Sequence, residues 1–458
     1  MRELKDEFIL KGLPPLHGVL ADLANNFVEN AYRPHEISAY LSALIFGAAV
    51  CSRNYSFAGS YSNLYMVVFG SSGSGKNDLE KMLTRWSYDI SCPDIIMNGS
   101  SFSSDAGVHS ALVSQPQSLV CIDEYGRVLN SLASDVIAKT ALVTLTKAYT
   151  LSDMMMKPKK YSKDKRAGPK DEIEREQVII RPALSLLGFG TPDQMQEVLK
   201  EDNFQNGEMA RYMFWYIPDV VVSYQLKNTH LPRRVFQRIA TILELAKNHI
   251  TTGDLPDSIK LSDYESPLST PIPCTLEAGI LDLKRLDIGQ QTRALACEDP
   301  VEKTLETRCL DKAKRLSIIL SLLNSPYADI QTAASIRENG VIITQRAMAD
   351  AIEIAGKSNK VMKKYQTDIP TYPPRIVRAG KRIDELVHMC GKGWTTREEI
   401  ALNKIKVSPG DWKLVEEYLE DIGIGWRESV LPGQKGRSVK IYGSETPMHM
   451  EPVKYELE

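Results

Sequence analysis

Read for its alternation of apolar and polar positions, the chain begins with a short helical lead-in, residues 1–36, broken by Pro14-Pro15 and Pro34. Residues 35–51 follow as a helix that is apolar almost all round, through Ile37, Tyr40, Leu41, Leu44, Ile45 and Ala48, and such a helix is expected to pack on a core sheet. Leu64 to Phe69 is a short β-branched and aromatic run, the pattern of a buried strand. From about Asp78, Leu79, Met82, Leu83 and Trp86 recur at helix spacing. Asp94 to Met97 is a candidate second strand, Ser104 to Val113 a helix, Ser118 to Ile122 a strand and Ser131 to Tyr149 a helix. Ala183 to Phe189 and Met213 to Ile217 read as two more buried strands.

The second half is mostly helical. Residues 226–250 carry Val235, Ile239, Ile242 and Leu245 in phase, and Thr251 to Pro273 is polar and proline-rich, as expected of a linker. Helices are expected over Leu276 to Leu286, Thr304 to Leu323 and Thr344 to Tyr365. After a break at Thr371 to Pro374 comes a last domain. Its helices run from Val377 to Met389, from Thr395 (a capping residue followed by an acid) and from Ser408 to Ile422, with Trp412, Val415, Leu419 and Ile422 on one face. Trp426 to Val430 and Arg437 to Tyr442 then form a hairpin around a basic, glycine-rich tip, and helix, turn, helix and hairpin together make a winged helix.

The stretch that organises the first half lies between the strand ending at Phe69 and the helix that follows. Gly70-Ser71-Ser72-Gly73-Ser74-Gly75-Lys76-Asn77 is a phosphate-binding loop in its required context of strand, glycine-rich turn, lysine and helix. Glycines let backbone N–H groups converge on an anion, and the helix N-terminus adds partial positive charge. Lys76 would reach the β- and γ-phosphates of ATP. The next position usually supplies a hydroxyl to Mg²⁺; here it is Asn77, a less suitable ligand, so nucleotide binding is expected more firmly than fast hydrolysis. The bland alternative is a glycine-rich turn with an incidental lysine.

About 45 residues later, the apolar run through Ile122 ends in Asp123-Glu124. A strand beside the loop is expected to bring Asp123 to Mg²⁺ and Glu124 to the attacking water, whereas two acids at a strand end also suit a solvated turn. Thr191, after Ala183 to Phe189, is a candidate γ-phosphate sensor backed by Asp193 and Gln194, and Thr-Pro-Asp-Gln is also a good helix start. Arg211 is a candidate arginine finger for a neighbouring subunit, or else a surface ion-pair residue. Arg315, inside its helix, is a candidate second sensor, although an arginine so placed is more often a surface or ion-pair residue. His17 and His35 read as solvated or capping histidines before catalytic ones.

The 458 residues suggest roughly two to four domains. Hydrophobic content of 43% and charged content of 25% are those of a soluble globular protein, and the net charge of −2 leaves nucleic-acid contact to local patches. One such patch is the run 157–170, with Lys157, Lys159, Lys160, Lys163, Lys165 and Arg166, which is either a solvated loop or a DNA contact. Lys413, Lys435 and Arg437 are candidate phosphate contacts of the last domain, although the acids Glu416, Glu417, Glu420 and Asp421 weaken a groove-reading role for its second helix. Seven scattered cysteines, with no C-x-x-C, argue against zinc and against a disulfide framework. The N-terminus is not a signal peptide, no apolar stretch is long enough to span a bilayer, and a cytoplasmic location is expected.

Taken in order, the helix at 35–51, Asn63-Leu-Tyr65 running into the glycine loop, Ile122-Asp-Glu124, Pro182-Ala-Leu-Ser-Leu-Leu-Gly188 and Gly207-Glu-Met-Ala-Arg211 resemble a family of helicase-like P-loop ATPases of phages, prophages and plasmids. The resemblance spans roughly residues 30–360. It implies an α/β P-loop NTPase core (RecA- or AAA-like), a following helical domain, and a homo-oligomeric ring, hexameric by expectation, that drives DNA helicase or translocase work in replication. Single-stranded DNA would run through the central channel and duplex would meet the winged helix. The expected domains are residues 1–36, 37–225 (ATPase core), 226–370 (helical) and 371–458 (winged helix). Asn77 departs from the family's serine or threonine. A nucleotide-gated DNA-binding initiator or helicase-loading scaffold with slow or no hydrolysis is the rival expectation.

Overall fold

The computed structural model describes residues 7–71, 73–97, 102, 104–134, 136–152, 154–157, 177–198, 207–218, 229–248, 258–260, 271–277, 283–367, 374–389, 394–408, 411–421, 424–430 and 438–443. The chain separates into two compact units, Met1–Thr367 and Asp368–Glu458, so that residues 37–225 and 226–367 belong to one unit. Its elements relevant here are α1 (Gly18–Asn30), α2 (Glu36–Cys51), β1 (Tyr65–Phe69), α3 (Asn77–Asp89), β2 (Gln117–Ile122), α4 (Tyr125–Ser134), α5 (Val136–Thr150), β3 (Ala183–Gly190), α6 (Pro192–Val198), β4 (Tyr212–Tyr216), α7 (Pro300–Leu323) and α8 (Gln345–Thr367).

An α/β layer is the heart of this unit. Its sheet has the order β2-β3-β1-β4 and is parallel throughout. Such a sheet must be covered on both faces, which is why its strands read as unbroken apolar runs: all five residues of β1 and all eight of β3 are buried. The order corrects one expectation, because β2 is not beside β1. β3 stands between them, pairing Tyr65 with Leu186 on one side and Gln117 with Ala183 on the other.

Helix α2 is buried from Ser38 to Cys51 and shares the main core with α1 and α7. Gly47 makes that three-way contact close: a side chain there would meet Ile319 Cγ2 at 2.8 Å and Leu323 Cδ1 at 3.0 Å. Helix α7 starts cleanly, with Asp299 accepting hydrogen bonds from the Val301 and Glu302 amides and Pro300 in the first turn. Arg315 on α7 is a further correction. It is buried, it donates to Asn63 Oδ1, to the Tyr149 carbonyl at 2.9 Å and to Asp311, and its guanidinium stacks 3.8 Å from the Tyr149 ring centre. Its donors are spent in the core, tying α7 to α5 and to the segment entering β1, so it is not a nucleotide sensor.

Other elements differ from the sequence reading in ways that tertiary pairing explains. Residues 93–97 form a 3-10 turn, Pro93–Ile95, and a single bridge from Ile96 to Leu119, not a full strand. The helix expected over 131–149 is two helices, α4 and α5. Within the expected linker, Ser258–Lys260 pairs with Gln177–Ile180, and Ile272–Leu276 lies parallel between Tyr55–Ser56 and Val341–Ile343. Leu276 therefore ends a strand and does not begin a helix, and the next helix starts at Leu283. Met155–Met156 and Gln177–Ile180 are antiparallel, so residues 157–176 connect two paired strands. Of the basic run, Lys157 is exposed, while Lys159, Lys160, Lys163, Lys165 and Arg166 lie outside the described residues.

The second unit places Pro374–Met389, Trp394–Thr396, Arg397–Leu402, Trp412–Asp421, Gly425–Val430 and Ser438–Gly443 in that order, with the strands antiparallel and the Ser438–Gly443 strand central. Ile383, Val387, Ile400, Val415, Leu419 and Tyr442 form its core. Thr396 and Glu399 cap the short helix reciprocally. Glu416 faces inward: it accepts from Arg397 at 2.6 Å and from the Tyr442 hydroxyl at 2.7 Å, and Arg397 lies over the Trp412 ring. Lys413 is exposed beside Glu417, and Lys435 and Arg437 lie outside the described residues. Among the described residues no helix is long and apolar enough to cross a membrane.

One buried charge yields a stability test. Lys312 on α7 is fully buried, donates to Asn359 Oδ1 at 2.9 Å, and is pushed down by burial to a pKa of about 8. Above that value the folded protein has lost a proton that the unfolded chain still holds, so this group adds stability as pH rises from about 8 toward the ordinary lysine value near 10.5. Lys312→Met is expected to flatten that alkaline rise in urea titrations compared below about pH 8 and near pH 10. An identical rise in both proteins would show that Lys312 titrates normally.

Candidate functional site

Four chain segments end at one edge of the parallel sheet. Leaving β1, the chain turns through the glycine-rich stretch into α3, with Gly73 at φ +84° and Gly75 at φ +85°, values that a side chain would strain. The turn is held by the Ser74 amide on the Ser71 carbonyl, at 3.2 Å, and by the Asp78 amide on the Gly75 carbonyl, at 3.0 Å. The start of α3 adds positive character to the turn, although the Asp78 and Leu79 amides are already spent on the Gly75 and Lys76 carbonyls. Gly70 leaves room for the turn to close, because a Cβ there would lie 2.9 Å from both the Ile217 carbonyl oxygen and Ser74 Oγ.

Lys76 lies at the centre of this edge. Its ammonium donates to the carbonyls of Gly70, at 2.9 Å, and Gly190, at 2.6 Å, the latter being the last residue of β3. Burial pushes its pKa down, while Asp123 and Glu124 push it back up. The acids follow β2, which pairs Ile122 with Gly188, so Asp123 stands two strand spacings from the end of β1, on the order of 10 Å away.

Asp123 accepts the Glu124 amide at 2.8 Å, and both residues are exposed. Glu124 has φ +50°, a left-handed conformation uncommon for a residue with a side chain. Such strain persists where surrounding structure fixes it and clusters at functional positions. Tyr125, immediately after it, supplies the fixing. Its ring lies over Gly188 of β3, where any Cβ would come within 2.3 Å, and its hydroxyl shares a 2.8 Å hydrogen bond with Tyr212. The Glu124 carboxylate itself is paired with Arg127 at 2.6 Å on the surface.

Thr191 follows Gly190 directly and so lies between the glycine turn and the acids. It also starts α6: its amide donates to Gln194 Oε1 at 3.2 Å, and its carbonyl accepts from Met195. Arg211, in contrast, is at the opposite edge. It precedes Tyr212, which pairs with Tyr65 at the start of β1, so the length of the strand, on the order of 16 Å, separates it from the glycine turn. There it donates to the Gly207 carbonyl at 2.6 Å and to Thr150 at 3.3 Å. Within its own chain Arg211 is not part of the cluster.

Two observations test whether the site fits a phosphate chain. Ser74 is 6% exposed, and its Oγ, buried beside Gly70, has no hydrogen-bond partner among the described residues. Lys76 rests on neutral carbonyls instead of a counter-ion. For a metal the oxygen donors are Asp123 and Asn77, both exposed; their hard chemistry suits Mg²⁺. Among the described residues no three His, Cys, Asp or Glu side chains group closely enough to hold a metal alone, so phosphate oxygens would have to complete the shell.

Sequence reasoning missed two residues here. Glu80 lies one turn along α3 from Lys76, and its carboxyl is pushed up by desolvation and by the charge of Asp123; the four-residue offset was the available signal. Arg127 pairs with Glu124 three residues earlier, an offset readable only once α4 is known to start at Tyr125.

The backbone strain at Glu124 generates a test. Glu124→Gly is expected to leave stability unchanged or raise it by up to about 1 kcal/mol, and Glu124→Val to lower it by about 1–2 kcal/mol, in urea unfolding. Equal losses for both variants would show that the positive φ is not what governs this position. No family model matches the chain, and no curated protein matches it, so the use of this edge is argued from its geometry.

Proposed function

We propose that this chain is a P-loop ATPase that binds ATP at the glycine turn and works on DNA as a homo-oligomeric ring, as a helicase or translocase in the replication of a mobile element. The observation that carries the reading is the convergence of Lys76, Thr191, Asp123 and Glu124 on one edge of a parallel sheet, beside the orphaned Ser74 hydroxyl. In this reading the backbone of residues 70–77 cradles the phosphates and Lys76 leaves the Gly190 carbonyl for the β- and γ-phosphate oxygens. Asp123 and Asn77 would hold Mg²⁺, whose charge would offset that of the phosphates. Glu124 takes the proton of the attacking water, and Thr191 donates to the γ-phosphate. Arg211 is assigned to a neighbouring subunit's nucleotide, a role that its distance from its own glycine turn favours over one within its own chain.

DNA contact is assigned to the basic connection at 157–170 and to the second unit, read as a winged helix. The element order of that unit supports this, and so does the inward pairing of Glu416, which removes one acid from the exposed face of its helix. A second reading is a nucleotide-gated DNA-binding scaffold that turns over slowly. Asn77 favours it, as does the Glu124–Arg127 pair, which engages the carboxylate that would activate water.

Steady-state ATP hydrolysis with and without single-stranded DNA separates the two. The motor predicts DNA-stimulated turnover that Lys76→Ala abolishes and Glu124→Gln lowers about 100-fold or more with nucleotide binding retained. Nucleotide binding with no turnover in any condition would establish the scaffold instead.

A further inference from the structure

The bend between α1 and α2 brings a second cation to the glycine turn. Arg33 is exposed, and its guanidinium lies against Gly73: a Cβ built there would be 3.3 Å from Nη1. Its Cβ lies 2.7 Å from where a side chain at Gly75 would begin. The two left-handed glycines of the turn are therefore the two that Arg33 packs upon. Both are glycine for a double reason, the positive φ and the approach of this residue.

The placement is built, not incidental. The Arg33 amide donates to Asp78 Oδ2 at 2.7 Å, and Asp78 is itself buried in the first turn of α3. The His35 amide donates to the Arg33 carbonyl at 2.9 Å, tightening the bend. Helix α1, which feeds the bend, is locked to α3 by Trp86 Nε1 on Asn26 Oδ1, at 2.8 Å, and by Arg85 on Asn30 Oδ1, at 3.3 Å. These bonds tie the base of Arg33 to the start of α3 and so to the glycine turn. Among the described residues its guanidinium has no acidic partner, since the Asp78 carboxylate is directed to the main chain.

We infer that Arg33 is a phosphate-binding residue of this chain's own nucleotide site, closing its planar fork on the polyphosphate from the side of the α1–α2 bend. An arginine suits that role because two parallel N–H donors match two phosphate oxygens. Asp78 is its positioning residue. The inference rests on the ATP reading of the same site.

The test is calorimetric binding of ADP, a slowly hydrolysed ATP analogue and adenosine to the full chain as wild type, Arg33→Ala, Arg33→Lys and Lys76→Ala, with thermal melting of each free protein. Arg33→Ala is expected to weaken ADP and the analogue at least ten-fold, to leave adenosine binding unchanged, and to melt like the wild type. Arg33→Lys should recover part of the loss. If the wild type and Lys76→Ala alike fail to bind any nucleotide, the ATP reading itself falls. If wild type binds, Lys76→Ala does not, and Arg33→Ala binds as the wild type does, the role of Arg33 alone is overturned.

Discussion

A single ammonium group, held where three strand ends meet, is the constraint around which the first unit is arranged. Lys76 bonds to the carbonyl that ends β3 and to the one that follows β1, and it lies in the field of the two acids that follow β2. Half-burying a cation against neutral carbonyls costs solvation that only nearby negative charge offsets. The acids are on this chain but not in contact, and an anion entering the cradle would complete the balance. That arrangement explains why a short glycine turn, a strained Glu124 and an unpartnered Ser74 hydroxyl occur within one small region. Each is unfavourable alone, and the proposed phosphate chain would give each a use.

The rest of the unit holds that edge still. A fully parallel sheet leaves no face for water, so α2 is apolar on all sides and α7 crosses it closely at Gly47. Helix α8 reaches the outer strand, where Ser358 Oγ accepts the Phe214 amide. Below the edge, tyrosines fill the sheet face. The Tyr125–Tyr212 hydrogen bond joins the residue after Glu124 to the residue after Arg211.

The local part of this arrangement was legible in the sequence, and the non-local part was not. The strand–turn–helix around residues 64–89 and the acids at 123–124 are written in contiguous residue types whose backbone consequences are short-range. The order of the strands is not, since nothing in β1 or β2 says that β3 will insert between them. The small parallel sheet of Tyr55–Ser56, Ile272–Leu276 and Val341–Ile343 was missed for the same reason: its strands are a few residues each and come from distant parts of the chain. Arg315 was legible only in part: an ion pair is an ordinary role for a helix arginine, but its burial depends on Asn63, Asp311 and Tyr149, which only the fold brings together. Arg33 carried no local signal at all, because its importance comes from which turn the α1–α2 bend happens to touch.

The central claim is that a phosphate chain occupies the space between the glycine turn and the acid pair. The most direct measurement is an electron-density map of the protein with Mg²⁺ and a slowly hydrolysed ATP analogue. The account predicts the polyphosphate on the amides of residues 73–77, with Lys76 Nζ withdrawn from the Gly190 carbonyl and the terminal phosphate facing Asp123. A map with the nucleotide elsewhere, or with Lys76 still seated on Gly70 and Gly190 beside an empty turn, would contradict it.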